Sequence, residues 1–185
     1  MSKQILVIKG SPRKNGNTSA MADALIKGAK ESGNEVTEVC LKDKKIGDCF
    51  GCGACQGNDG NCVQKDDMTQ IYEAMKKADF IVLASPVYFY TWTSLMKRMI
   101  DRTYAVLPIL ENKKFYLLSA GAAPGEEYMQ TMIDSFRQYV SCFTAGGNEE
   151  GGILFAYGTN GPTDVKEMPV LEEAYRLGKE GMSGR

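Results

Sequence analysis

The chain of 185 residues contains no histidine. That absence removes Ser-His and Cys-His nucleophilic mechanisms, histidine acid–base catalysis and most catalytic zinc sites. An enzyme without imidazole works most simply through a bound group that carries its own reactivity. An excess of one charge is also missing: 22 Lys and Arg stand against 23 Asp and Glu, a formal net charge of −1, with the signs interspersed. Such a surface offers no electrostatic footprint for nucleic acid or an anionic membrane, and neither is expected as a partner. No apolar run approaches the length that crosses a bilayer, and Met1-Ser2-Lys3-Gln4 leads into a strand pattern without a signal-peptide n-region. A soluble, cytoplasmic protein is expected. Internal repeats and linkers are lacking too, and a chain of this length with 43% hydrophobic content suits one domain over residues 1–185.

What the sequence does hold is a regular alternation of strand and helix signals. Residues 5–8 are apolar and β-branched, and a helical pattern follows from Ala20 to about Glu31, with Gly33 or Asn34 as its stop. Residues 35–41 alternate as a second strand. A loop rich in Gly, Cys and Asp spans residues 42–65, longer than ordinary connections and therefore a candidate for function. Asp66 or Asp67 caps the next helix, which carries Met68, Ile71, Tyr72 and Met75 on one face. Residues 80–84 form an unbroken apolar run, the signature of a central strand covered on both faces. A helix to about Ala105, a strand over 114–120, a helix over roughly 126–140, a strand over 152–157 and a helix over 169–177 complete the pattern. The end from Gly178 reads as loose. The methionines at 68, 75, 96 and 99 fall at helical spacing and belong to the core.

This alternation predicts an α/β fold: a doubly wound five-stranded parallel sheet of order 2-1-3-4-5, with helices on both faces. Segments 11–19, 85–92 and 119–125 should then share a cleft at the switch point. The first of them, Ser11-Pro12-Arg13-Lys14-Asn15-Gly16-Asn17-Thr18-Ser19, joins the first strand to its helix. A helix start with unpaired N–H groups, close approach at Gly10 and Gly16, and the fork of Arg13 suit an anion. The plainer alternative is a turn that only caps its helix through Asn17 or Thr18. A nucleoside triphosphate cradle is disfavoured, because five residues separate Gly10 from Gly16 and Asn17 replaces the required lysine. The G-x-G-x-x-G dinucleotide fingerprint is absent as well, which leaves a mononucleotide phosphate. Pro86-Val87-Tyr88-Phe89-Tyr90-Thr91-Trp92 leaves the central strand with four aromatic rings, a setting for a flat ligand or, for Phe89 and Trp92, ordinary packing.

The run G-S-P-R-K-N-G-N-T after an N-terminal strand resembles the phosphate loop of the flavodoxin-like NAD(P)H-dependent FMN reductases. The likeness extends through Asp66-Asp67-Met68, Ala84-Ser85-Pro86-Val87-Tyr88-Phe89 and Asp164-Val165-Lys166, nearly the whole chain. It implies that Ser11, Arg13, Asn17, Thr18 and Ser19 anchor the phosphate of FMN. Pro86, Val87, Tyr88, Phe89 and Tyr90 would contact the isoalloxazine, with Ala120 and Gly121 approaching from the other side. The activity implied is hydride transfer from NAD(P)H to FMN and onward to an unidentified acceptor, in a homodimer or higher homo-oligomer that associates through the cysteine and aromatic loops.

Cys49, Cys52, Cys55 and Cys62 form C-x2-C-x2-C-x6-C, a spacing that lets thiolates converge while the intervening glycines bring backbone N–H groups to the sulfurs. This resembles the compact cysteine motif of the iron–sulfur flavoproteins, which implies a 4Fe–4S cluster. Zinc, free thiols, a redox pair and a disulfide stay open beside it. Two further functional readings follow: an iron–sulfur flavoprotein passing single electrons between cluster and FMN, and a non-enzymatic carrier like flavodoxin. Cys40 and Cys142 read as packing residues, and Asp66 and Asp67 as structural.

Overall fold

Short β-branched and apolar stretches pair side by side because each is followed by a helix that returns the chain to the same end of the sheet. The structure, a computed structural model, describes residues 2–182. Strands β1 (Gln4–Lys9), β2 (Glu35–Cys40), β3 (Phe80–Pro86), β4 (Lys114–Ala120) and β5 (Glu149–Ala156) form one parallel sheet of order β2-β1-β3-β4-β5, as expected. Alternate side chains feed two cores. Leu6, Ile8, Ile81 and Leu83 pack beneath α2 (Met68–Lys77), α3 (Ser94–Arg102) and α4 (Gln130–Ser141). Ile5, Val7 and Val82 face α1 (Asn17–Glu31) and α5 (Pro169–Arg176). Met68, Met75, Met96 and Met99 are fully buried, each side chain contributing about 1.5–3 kcal/mol by its removal from water.

Several boundaries differ from the expected ones for local reasons. Helix α1 starts at Asn17, three residues before the expected Ala20, and Gly33, with φ of +79°, is the expected stop, since that conformation strains any residue with a Cβ. A separate short turn, Glu126–Tyr128, precedes α4, and α3 tightens after Arg102 into the turn Thr103–Val106. β5 begins three residues before the expected Gly152, because the Tyr116 ring lies where a side chain at Gly151 would stand and the register shifts there.

The expected loose tail is instead packed through Met182. A wide turn, Leu177–Gly181, extends α5, and Met182 is fully buried beneath the Nδ2 of Asn34, which donates to its carbonyl at 3.3 Å. The contact depends on glycine: a Cβ on Gly28 would collide with the Tyr175 carbonyl, and one on Gly178 with the Leu25 carbonyl. Residues 183–185 lie outside the described residues. Among those described, no helix is long and apolar enough to cross a membrane.

Candidate functional site

In a parallel sheet all strands end at one edge, so the segments leaving β1, β3, β4 and β5 meet there. Backbone hydrogen bonds lock them together: Gly10 N–H donates to Ala84 O (2.8 Å), Val87 N–H to Ala120 O (2.9 Å) and Gly121 N–H to Ala156 O (3.0 Å). Thr93, the N-cap of α3, adds a side-chain tie by accepting from Met96 N–H and donating to Gly10 O at 2.7 Å. The result is a cleft of about 190 Å³. Ser11, Arg13, Asn17, Thr18, Pro86, Val87, Tyr88, Ala120 and Gly121 all line it.

Three residues of the expected set lie elsewhere. Ser19 is buried behind the turn, its Oγ donating to Arg13 O at 3.2 Å. Phe89 and Tyr90 form the tip of a two-residue hairpin closed by paired Tyr88 and Thr91 backbones, and Phe89 is 97% exposed. Both tip residues have positive φ (47° and 67°), the conformation a primed hairpin turn demands and one that favours Asn or Gly. Trp92 is buried, donating from Nε1 to Ser135 Oγ at 2.8 Å, so Tyr88 alone of the four rings reaches the cleft.

Sequence reasoning missed the fourth wall, Thr159, Asn160 and Gly161. Asp164 shapes this turn, its carboxylate accepting from the N–H groups of Asn160 (2.9 Å) and Gly161 (2.7 Å). Asn17 fastens it to α1, donating to Gly161 O (2.8 Å) and accepting from Val165 N–H (3.2 Å). The signal was present: the turn follows the fifth strand, whose C-terminal end had to open on the same edge.

The N-terminus of α1 is the polar end of the cleft. Gly16 is its N-cap, neither Asn17 nor Thr18 filling that place, and no side chain caps the first turn. The N–H groups there have no intrahelical acceptors and carry the positive end of the helix dipole. A Cβ on Gly16 would stand 3.5 Å from Ser11 Oγ and 3.4 Å from Arg13 Cβ, inside the cradle these residues form. Gly10, by contrast, is required by α3, since a Cβ there would press on Met96 at 2.9 Å. Lys9 does not line the cleft. Burial opposes its charge, but Asp23 (2.5 Å) and Glu38 (2.7 Å) outweigh that and raise its pKa above the usual lysine value. An uncapped helix start with an arginine at one end and small apolar walls at the other fits a phosphorylated flat ring system such as FMN.

The cysteine loop lies at the other end of α3. Cys49, Cys52, Cys55 and Cys62 border one small cavity with Arg102 and Tyr104, and Gly51 and Gly53 turn the chain there with φ of +63° and +69°. All six cysteines are free thiols, and among the described residues no three Cys, Asp or Glu side chains gather as a metal-holding group. The donor set, four thiols on one cavity, suits an iron–sulfur cluster in its chemistry. Side chains anchor the loop: Arg98 pairs with Asp48 (2.8 Å), Gln64 donates to Asp48 O (2.9 Å) and Gln56 to Tyr104 O (2.6 Å). Behind it, Arg102 makes a two-point contact with Asp66 at 2.6 and 3.1 Å.

Asp67 is the N-cap of α2 without a side-chain cap bond of its own, while Asp66 before it accepts from Met68 N–H (3.1 Å) and Gly47 N–H (2.9 Å). Burial works against the charge of Asp66, yet the Arg102 guanidinium and these two N–H groups hold its carboxyl below the usual carboxylate range. Asp67 accepts from Lys45 N–H at 2.6 Å, so both carboxylates are structural, as expected. Cys142 departs from its expected packing role: it is exposed, on a groove beside Tyr139 and Phe143. Cys40 is half-buried at the end of β2.

The sequence profile of the NADPH-dependent FMN reductases matches residues 4–149. An iron–sulfur flavoprotein of Archaeoglobus fulgidus is 46% identical over 136 residues, which cover 70% of this chain and 61% of that protein. An iron–sulfur flavoprotein of Methanocaldococcus jannaschii is 34% identical over 96% of this chain and 94% of its own length. Among solved structures, an NAD(P)H:quinone oxidoreductase from Methanothermobacter marburgensis shares the fold, with a TM-score of 0.78 over 100% of this chain and 98% of that one at 16% identity. The profile match and the breadth of these likenesses show that the chain belongs to the NADPH-dependent FMN reductase family.

Proposed function

We propose that the chain is an FMN-dependent NAD(P)H oxidoreductase that passes the electrons it receives to a further acceptor. The observation that carries this reading is the meeting of three distant segments in one cleft, with an uncapped helix start at its polar end. Bound FMN would supply hydride acceptance and electron release, chemistry that needs no protein acid or base. The residues bind and orient. Arg13 and the N–H groups of the turn neutralise phosphate and Thr18 offers its hydroxyl, while Ser11 shapes the turn by bonding the Arg13 backbone and Asn17 acts through its own backbone because its side chain already holds Gly161 and Val165. Pro86, Val87, Ala120 and Gly121 present backbone and small apolar surface to a ring, and Tyr88 borders it. Ser19 shapes the turn from behind, and Phe89 and Tyr90 serve at the surface.

The four-cysteine cavity supports an iron–sulfur flavoprotein as a second reading, in keeping with the names of the two relatives. Cys49, Cys52, Cys55 and Cys62 would hold a 4Fe–4S cluster, which supplies single-electron transfer. Exposed Phe50 and Tyr104 beside this cavity, with Phe89 and Tyr90 on the hairpin, favour association of two copies.

Anaerobic purification with flavin, iron and sulfide analysis tests both readings, followed by mixing with NADH and NADPH. Stoichiometric FMN bleached rapidly by a reduced nicotinamide is the expected result, with iron and sulfide in equal amounts for the second reading. Flavin that no nicotinamide reduces would leave a flavodoxin-like carrier. A colourless protein that ignores added FMN would end the flavin assignment.

A further inference from the structure

Arg102 is an unusual residue to bury. Its side chain is 1% exposed, and the N–H count shows what it is used for. A guanidinium has five N–H donors. Those on Nη1 go to Asp66 Oδ2 (2.6 Å) and Gly47 O (2.9 Å), and those on Nη2 to Asp66 Oδ1 (3.1 Å) and the Sγ of Cys62 (3.5 Å). The Nε donor is buried without a partner. A latch between the cysteine loop and α2 needs the contacts to Asp66 and Gly47; it needs neither a donor on a cysteine sulfur nor an unspent buried N–H. Arg102 and Cys62 are both part of the wall of the cavity that the four thiols border.

Resting on the iron–sulfur reading above, we infer that Arg102 is the positioning and charge-setting residue of the cysteine site: it fixes the Cys62 sulfur through Nη2–H and raises the reduction potential of a cluster held there. Reduction adds one negative charge to the cluster. A cation and N–H donors beside the sulfurs favour the more negative state, and they act strongly where water is excluded. Asp66 opposes the effect, its carboxylate cancelling part of the arginine's charge.

The two charges therefore give opposite tests in the intact, anaerobically reconstituted protein, read as cluster potential by redox titration with iron content alongside. Arg102→Gln is expected to lower the potential. Asp66→Asn removes the charge while its one amide oxygen still serves the Gly47 or the Met68 N–H, and is expected to raise it. Where Arg102→Gln fails to fold or to hold iron, Asp66→Asn decides alone by its upward shift. An unchanged potential in Asp66→Asn, a shift in the same direction in both variants, or loss of iron from Asp66→Asn would overturn the assignment and reduce the pair to a latch. Wild-type protein that takes up no iron would instead overturn the cluster reading, and this inference with it.

Discussion

The cleft at the sheet edge and the cysteine loop lie at opposite ends of α3 and are made of different material. The cleft's four walls are joined by backbone hydrogen bonds between strand ends, and its polar end is the start of a helix. The loop has one short turn of its own, Ala54–Gly57, and is held by side chains: Arg102 on Asp66, Arg98 on Asp48, Gln56 on Tyr104. A site made from main chain survives most single substitutions, because the sheet positions it. A site made from side chains depends on a few of them.

Removing one anchor should thus damage the loop and spare the cleft. Asp66→Ala leaves Arg102 buried without its counter-ion and strips acceptors from Gly47 and Met68 N–H, a loss of about 3–5 kcal/mol in urea denaturation. Amide exchange should quicken over residues 44–65 and stay slow over 5–10. Equal acceleration in both regions would erase the contrast. Arg13→Ala probes the other end: FMN dissociation should strengthen by roughly 10–100-fold, the worth of one charge-assisted bond, at unchanged melting temperature. Normal flavin occupancy in that variant would count against the anchor.

How legible these regions were in the sequence follows the same division. The sheet order and the meeting of segments 11–19, 85–92 and 119–125 were readable, because each strand ends where an apolar run gives way to small and polar residues. Arg102 was not, since an arginine in the last turn of a helix ordinarily reads as exposed and favourable to the dipole. Gly28 and Gly178 were missed for a related reason: nothing in a single helix shows that another helix will press on it. The strain at Phe89 and Tyr90 was hidden as well, because aromatic residues give no local sign of positive φ.

Acid should weaken the anchor behind the loop. The folded-state pKa of Asp66 is depressed, against burial, by Arg102 and two N–H groups. The unfolded chain therefore takes up the proton at higher pH, and the stabilisation is complete above about pH 4 and lost as pH falls through the folded value. Asp66→Asn should flatten this part of a stability profile measured by denaturant midpoint, and an unaltered slope would refute the link. The smallest expected effect is at the hairpin tip. Replacing Phe89-Tyr90 by Asn-Gly relieves two left-handed residues and should stabilise the fold by about 1 kcal/mol in thermal melts. A fall in melting temperature would mean that the exposed rings contribute contacts of their own, as they would between two copies of the chain.

Helix α3 touches the Gly10 carbonyl through Thr93 and the cysteine loop through Arg102, so its length is a fixed spacer. One added or deleted residue within it would rotate one end against the other by about 100° and slide it by about 1.5 Å. Either the turn after β1 or the Cys62 sulfur would lose its contact. The number of residues between Thr93 and Arg102 is thus fixed by two contacts at once, one at each end of the helix.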